Sequence, residues 1–492
     1  MTRSLSLRWL SCCALGAMVG TGCGDPIDDG IDICAEVRCD DDKECTENVC
    51  DATDPRVCIF PAVPEDTPCN EGGVCDGAGR CVQCNRDEHC LNDFNDCTTP
   101  VCDAPTCSTE PLSDGTPCAG GLCQAGACAL SSSVVPCSEQ GLRNAITAGG
   151  GPYAFDCDGP TEVITRDEIM IDNDVVLDGG GNIVVHGNDA HRVFSILEGA
   201  SVEIHGFRVT GGVATRRIDD QSCGGLANAG TLMLANSVVS GNTAATGGGG
   251  GICNSGLLTL INSAVEGNSA KACGGVFNNG WVAIRNSTVS ENNATLGGGG
   301  GICSSGPLTL AGSTVSGNSA SYSGGIESSG TLTLTNSTVS GNVSEEGSGG
   351  ILNIGTATLE SGTVAGNTVA GLRGDIRNAG ALAIANTLID GVCIGSTAAV
   401  TSQGNNIESP GDTCGFDTNK GDQFDVTAQQ LNLGPLSDNG GPTMTHALQS
   451  GSVAIDRIPE MACEMEEDQR GVARPQGAAC DVGAFELEQE EP

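Results

Sequence analysis

Gly-Gly-Ile-Glu-Ser-Ser-Gly-Thr-Leu-Thr-Leu-Thr-Asn-Ser-Thr-Val-Ser-Gly-Asn occupies residues 324–342 and holds most of one structural repeat. Leu332, Leu334 and Val339 alternate with Thr and Ser, and a period of two is that of a strand with one buried face. The opening recurs at Gly224-Gly225-Leu226, Gly250-Gly251-Ile252, Gly274-Gly275-Val276, Gly300-Gly301-Ile302 and Gly349-Gly350-Ile351, at intervals of 24 to 26 residues. So short a unit cannot enclose a core alone, so successive coils must stack and bury aliphatics between them. The pattern predicts an all-β chain built around a right-handed parallel β-helix. The closing Gly-Asn sets Asn242, Asn268, Asn292, Asn318, Asn342 and Asn367 in one register, where stacked amides form a hydrogen-bonded ladder.

The same frame extends back through Val202, Ile204 and Val209 and forward through Leu382, Ile384 and Ile389. It predicts about ten coils over residues 161–395, a rod of about 45 to 50 Å at about 4.8 Å per layer. Cys223 and Cys273 precede the glycine pair and Cys253 and Cys303 follow it, so the pairings Cys223–Cys253 and Cys273–Cys303 are equivalent. A solenoid needs covered ends, since an open strand edge polymerises. Residues 137–160 are read as an N-terminal cap with helical periodicity from Cys137 to Ile146, closed by Cys137 and Cys157. Residues 396–488 are read as a C-terminal capping region, with Cys393–Cys414 and Cys463–Cys480 as local bridges. Arg470 and Arg474 with Asp468 and Asp481 are expected to form a salt-bridged end cap there, and residues 489–492 an acidic tail.

Ahead of the solenoid, residues 34–83 and 84–130 each carry eight cysteines at an offset of about 50 residues. Asp66-Thr67-Pro68-Cys69 recurs as Gly115-Thr116-Pro117-Cys118, which marks a tandem duplication. With almost no aliphatic residues, each copy must be held by disulfides, at roughly 2 to 4 kcal/mol per bridge. Cys81-x-x-Cys84 has zinc-ligand spacing, but an even cysteine count without a second matched pair favours disulfides. The N-terminus agrees with an oxidising compartment: Arg3 and Arg8, an apolar run from Leu10 to Val19, then Gly20-Thr21-Gly22-Cys23. This resembles a lipoprotein signal over residues 1–22 that leaves Cys23 acylated, followed by an acidic linker over 23–33. Gly20 stands where Leu is usual, so plain extracellular secretion is the alternative to an outer-membrane or cell-surface anchor through the lipid.

A formal net charge of -41 excludes nucleic acid as a partner, because phosphate backbones are held by clustered Lys and Arg. No cofactor and no metal site is expected; Ca²⁺ on closely spaced acids such as Asp40-Asp41-Asp42 is the alternative left open.

Leu142-Arg143-Asn144-Ala145 is similar to the motif that opens many bacterial surface β-helix proteins, with Asn144 in place of an acid. The Gly-Gly-Ile and Asn-Ser-x-Val-x-Gly-Asn coils resemble those of the polymorphic outer-membrane protein family. The tail segments 439–448, 451–456, 468–475 and 481–486 look like the end region of "choice-of-anchor" β-helix surface proteins. The resemblance spans about residues 137–488 and implies a surface-exposed β-helix with no activity to transfer residue by residue. The cysteine modules resemble those of secreted proteins of myxobacteria-like Gram-negative species, which implies a stalk or interaction module.

Right-handed β-helices also house pectate lyases and polygalacturonases, so an enzyme must be sought in residues. Glycoside hydrolysis needs two carboxylates at fixed separation, yet Glu266, Glu291, Glu327, Glu345, Glu346 and Glu360 fall in different registers. Only Lys271 and Arg285 are basic over the same coils. His186, Asp189, His191 and His205 are a candidate metal set expected to be structural instead, and Asp172, Asp174 and Asp178 with His186 are where the acids of an enzyme would converge. The expectation is thus a non-catalytic surface lipoprotein that binds extracellular polysaccharide, or another surface protein, through a flat Ser/Thr/Asn face. A carbohydrate-active enzyme and a structural envelope spacer are the alternatives.

Overall fold

The computed structural model describes residues 133–214, 222–245, 247–395 and 400–488, with shorter stretches between residues 45 and 130. The expected leader, Cys23, the linker to residue 33, Asp40–Asp42 and the tail 489–492 lie outside the described residues. The chain divides into two units between Leu112 and Ser113.

In the first unit, Val49–Cys50 pairs with Cys58–Ile59 and sets Cys50 opposite Cys58. The hairpin Thr98–Asp103 with Thr106–Pro111 sets Cys102 opposite Cys107, the equivalent pair of the second repeat. Cys45 and Cys75 form a disulfide with a Cα separation of 5.4 Å, buried together with Cys69. Among the described residues these three sulfurs are the one set close enough for a shared metal. All three belong to disulfides, which leaves no thiolate to ligate.

The division cuts through the second cysteine repeat, drawn from sequence as 84–130. The three-stranded sheet Pro117–Cys118, Gly121–Gln124 and Ala127–Leu130 belongs to the second unit, just before the first solenoid strand Ser133–Pro136.

A solenoid coil of the second unit is written by residues 326–344. Ile326–Ser328 is followed by the long strand Thr331–Thr335, the short strand Thr338–Ser340 and the pair Val343–Ser344. Each stacks in parallel on its equivalent, as in Ile302 to Ile326 to Ile351. The first strands form a ten-stranded sheet, the long and short strands share a 21-stranded sheet, and seven last pairs form a third, to which Leu372–Arg373 adds an antiparallel eighth strand. Ten stacked strands, one from each coil, make a right-handed parallel β-helix of about nine turns, in keeping with the spacing of the repeat. The 21-stranded sheet runs from Ser133 to Glu408, wider than 161–395, because Ser133–Pro136 and Gly150–Asp156 join one end and Val400–Gly404 and Ile407–Glu408 the other.

Ile326, Leu332, Leu334 and Val339 are fully buried, and at roughly 2 kcal/mol each they stabilise a coil only once neighbours cover them. The turn after the long strand needs a left-handed residue, supplied by Asn236, Asn262, Asn286, Asn336 and Asn386 at φ of 44° to 52° and by Gly312 at 59°. The next residue points inward: the backbone N–H of Ser237 donates to Ser263 Oγ, that of Ser263 to Ser287 and that of Ser287 to Ser313.

The asparagine ladder runs from Asn242 to Asn367, each Nδ2 donating to the next Oδ1 at 2.9 to 3.0 Å. A second ladder, absent from the sequence reading, joins Asn228, Asn254, Asn278 and Ser304. Disulfides Cys223–Cys253 and Cys273–Cys303 tie successive coils, with Cα separations of 5.7 and 5.9 Å. Cys137–Cys157, Cys393–Cys414 and Cys463–Cys480 are also bonded. Helix α1 (Glu139–Ala148), capped by Ser138, buries Leu142, Ala145 and Ile146 against the first coils.

The C-terminal segment does not stop at the end of the rod. Beyond residue 431 it folds back along the flank: Thr443 Oγ1 donates to Gly312 O, Thr314 Oγ1 to Met444 O, and Thr338 Oγ1 to Gln469 Oε1. Further along, Ala484 N donates to Thr363 Oγ1 and Gly483 N to Asn386 O. The expected salt-bridged cluster lies within this returning tail on the flank of the rod, and its pairing is as expected for Arg470 but not for Arg474. Arg470 pairs with Asp468 at 2.8 Å and Arg474 with Glu486 at 3.4 Å. The Asp481 carboxylate instead accepts the backbone N–H groups of Asp456 and Leu487.

Candidate functional site

Alternation along the long strand turns its first, third and fifth residues outward. Stacking aligns them into three columns: Thr331, Thr333 and Thr335 lie beside Thr356, Thr358 and Glu360, and Ala283 and Arg285 beside Thr309 and Ala311. The result is a flat hydroxyl-rich face. Trp281 opens its strand on that face beside Leu257 and is 58% exposed. It adjoins Leu257, which is half-buried, and still leaves more than half of the indole to solvent, where large aromatics seldom stay without a partner.

At the other end of the same strand lies a groove of about 570 Å³. Its floor is Arg285, Asn286, Ala311, Gly312, Thr335 and Asn336, and its wall is the returning tail, including Glu466, Glu467 and Gln469. Ala311-Gly312 creates the hollow, because the adjoining coils carry Arg285-Asn286 and Thr335-Asn336 at the same two positions. The wall is fastened by Asn336 Nδ2, which donates to Glu467 O at 2.7 Å. Gln469 is held among Thr314, Thr338 and Thr443. The Arg470 guanidinium beneath them is paired with Asp468 and lies 3.7 Å from the centre of the Phe485 ring. Arg285, Glu466 and Glu467 are exposed at the rim, and among the described residues no hydrogen bond or ion pair engages the Arg285 guanidinium.

The sites singled out from sequence are not brought together. His186 Nδ1 accepts from Asn188 N, both ring nitrogens of His191 meet backbone carbonyls, and His205 lies 3.2 Å from Glu203. Asp174 and Asp178 accept the backbone N–H groups of Ser201 and Gly180, so they fix turns. Of the six scattered glutamates, Glu327 sits half-buried against the Gly298 loop, where burial pushes its carboxyl above the usual range. It faces away from the groove, on the first strand of its coil.

His446 was not anticipated. Its Nδ1 lies 2.8 Å from Gly434 O and its Nε2 2.7 Å from Ser340 Oγ. The Gly434 carbonyl requires the proton on Nδ1, so Ser340 donates to Nε2. That is the geometry of a nucleophile and base, but both side chains are buried beneath the tail and serve as a clasp.

No family model matches this chain, and no curated protein matches it. Among solved structures, the crystal structure of pectate lyase Pel9A is similar at a TM-score of 0.44 and 15% identity, covering 72% of this chain and 97% of that one.

Proposed function

We propose that this protein is a non-catalytic surface protein that binds extracellular polysaccharide on the outward face of its long strands. The observation that carries the reading is Trp281, 58% exposed beside Leu257 on a face whose later coils present threonines. A pyranose ring has an apolar C–H face that lies flat on an indole and hydroxyls that reach neighbouring Thr side chains. In this reading Cys23 carries the lipid that holds the chain at the outer membrane, as the lipoprotein-signal resemblance implies, and the cysteine-rich repeats are the stalk, as their resemblance to modules of secreted proteins implies. Pulldown of the oxidised full chain on a panel of insoluble polysaccharides tests it: retention lost in Trp281→Ala is expected, and retention unchanged by that substitution refutes it.

Cleavage is a second reading, favoured by one observation: Glu466 and Glu467 stand exposed on one wall of a groove. Both stand on the same wall with no carboxylate on the floor across from them, which opposes their acting as an acid and base pair that flanks a scissile bond. Counting new chain ends in the same incubation separates the readings, and new ends that disappear in Glu466→Gln or Glu467→Gln make the protein an enzyme.

A further inference from the structure

We infer that the groove at Ala311-Gly312 is a second subsite on the same ligand and that this ligand is a neutral glycan. The inference rests on the polysaccharide reading above and deepens it.

Trp281 and Arg285 begin and end one five-residue strand with their side chains on the same face. Four residues at about 3.3 Å each set them about 13 Å apart, the reach of a short oligosaccharide. A chain that stacks one ring on Trp281 and runs along the strand crosses Ala283 and enters the groove. Nothing large stands between them.

The groove supplies what a polyhydroxylated ring needs. Arg285 donates, the Glu466 and Glu467 carboxylates accept, and the exposed amide of Asn286 does both. The same lining selects against uronates, because a ligand carboxylate drawn to Arg285 would face the two glutamates across the hollow. The net charge of -41 opposes polyanions further. Against a neutral sugar neither penalty applies.

The hollow exists because Gly312 replaces the asparagine of the coils on either side. Its φ of 59° is one that asparagine adopts at Asn286 and Asn336, at 49° and 44°. An added Cβ would meet the Oδ1 of Asn286 at 2.4 Å, the end of a movable side chain. Gly312→Asn is therefore compatible with the fold and fills the groove, while Trp281 is untouched.

The chain has two tryptophans, Trp9 and Trp281, so the full-length Trp9→Phe variant reports on Trp281 alone by its fluorescence. This variant is titrated with linear neutral oligosaccharides (glucan, mannan, xylan) of two and of six units and with oligogalacturonate of six units. Gly312→Asn and Arg285→Ala are tested in the same background, with melting curves to confirm folding. The expected result is saturable binding of a neutral six-unit chain, weakened roughly tenfold by either substitution, with two-unit binding unchanged. Binding that shifts Trp281 but ignores both substitutions removes the groove from the site and leaves the polysaccharide reading standing. Preference for oligogalacturonate overturns the neutral class. No response of Trp281 to any glycan overturns both the subsite and the reading on which it rests.

Discussion

Asn367 Nδ2 donates to Asp375 Oδ1 at 2.9 Å, so the ladder of six asparagines ends on a carboxyl. The next coil has Val392 in the region where the seventh amide is due, and Asp375, from the position of the second glycine, turns its side chain into the vacant slot. The backbone N–H of Asn367 donates to the same oxygen. The other oxygen, Oδ2, is buried with no hydrogen-bond partner among the described residues and is packed so closely on Gly391 that a Cβ there would lie 1.5 Å away.

Burial, opposed by the two Asn367 hydrogen bonds, pushes the Asp375 carboxyl up to about 7 from 3.8. A group whose folded pKa is raised contributes stability that is complete below its unfolded value and lost as pH rises through the folded one. The wild type is therefore expected to lose up to about 4 kcal/mol between pH 4 and pH 8 from this residue. Asp375→Asn, which keeps the acceptor and cannot ionise, is expected to melt higher at pH 8 and to lose that advantage near pH 4. Parallel melting-temperature profiles for the two proteins would show that Asp375 is not the titrating group.

The interior and the main ladder were legible because they repeat: Leu332, Val339 and Asn342 recur at one spacing, and a period can be read without coordinates. The groove was not anticipated: Ala311-Gly312-Ser313 departs from the residue-Asn-Ser pattern of its neighbours, but what closes the hollow leaves no such mark. The tail docks on Thr314, Thr338 and Thr363, while Thr288 occupies the same register and is only partly buried. Residue type is the same on covered and open coils, so the sequence offers no signal for where a non-repeating segment lies down. Trp281 was readable as a rare aromatic, but its exposure depends on which strand position it fills.

His446 should make the tail sensitive to acid. Burial holds its imidazole below the usual range, against the opposing effects of its bond to Gly434 and the charge of Asp390. A depressed histidine contributes stability that is present above its unfolded pKa and lost as pH falls through the folded value. Hydrogen exchange over residues 439–486 is expected to speed up below about pH 6. His446→Gln should flatten that dependence. Exchange in the wild type that is the same at pH 5 and pH 8 would remove His446 as the clasp.

Cys223–Cys253 and Cys273–Cys303 each close 30 residues, for which loop entropy gives about 3 to 4 kcal/mol per bridge. Replacing either pair by serines should lower the denaturation midpoint by a similar amount, and replacing both should come close to the sum, since the two loops do not overlap in sequence. A loss confined to one pair would mean that the other bridge spans a segment already ordered in the unfolded chain.

The pair Arg474–Glu486 gives the sharpest test of what holds the end of the tail in its own fold. Both side chains are 1% exposed, with burial lowering the arginine and raising the glutamate from their ordinary values. Arg474 also donates to the carbonyls of Asp481 and Gly483 at 2.7 and 2.6 Å, and Glu486 accepts the N–H groups of Gln476 and Asp481. Removing one charge strands the other, so Arg474→Met is expected to cost about 3 to 5 kcal/mol. Adding Glu486→Gln removes the stranded charge but keeps an acceptor and should recover part of that loss. A double-mutant cycle by urea denaturation measures the coupling. If the double variant is no more stable than Arg474→Met alone, the two carbonyl bonds rather than the ion pair hold this end of the tail together.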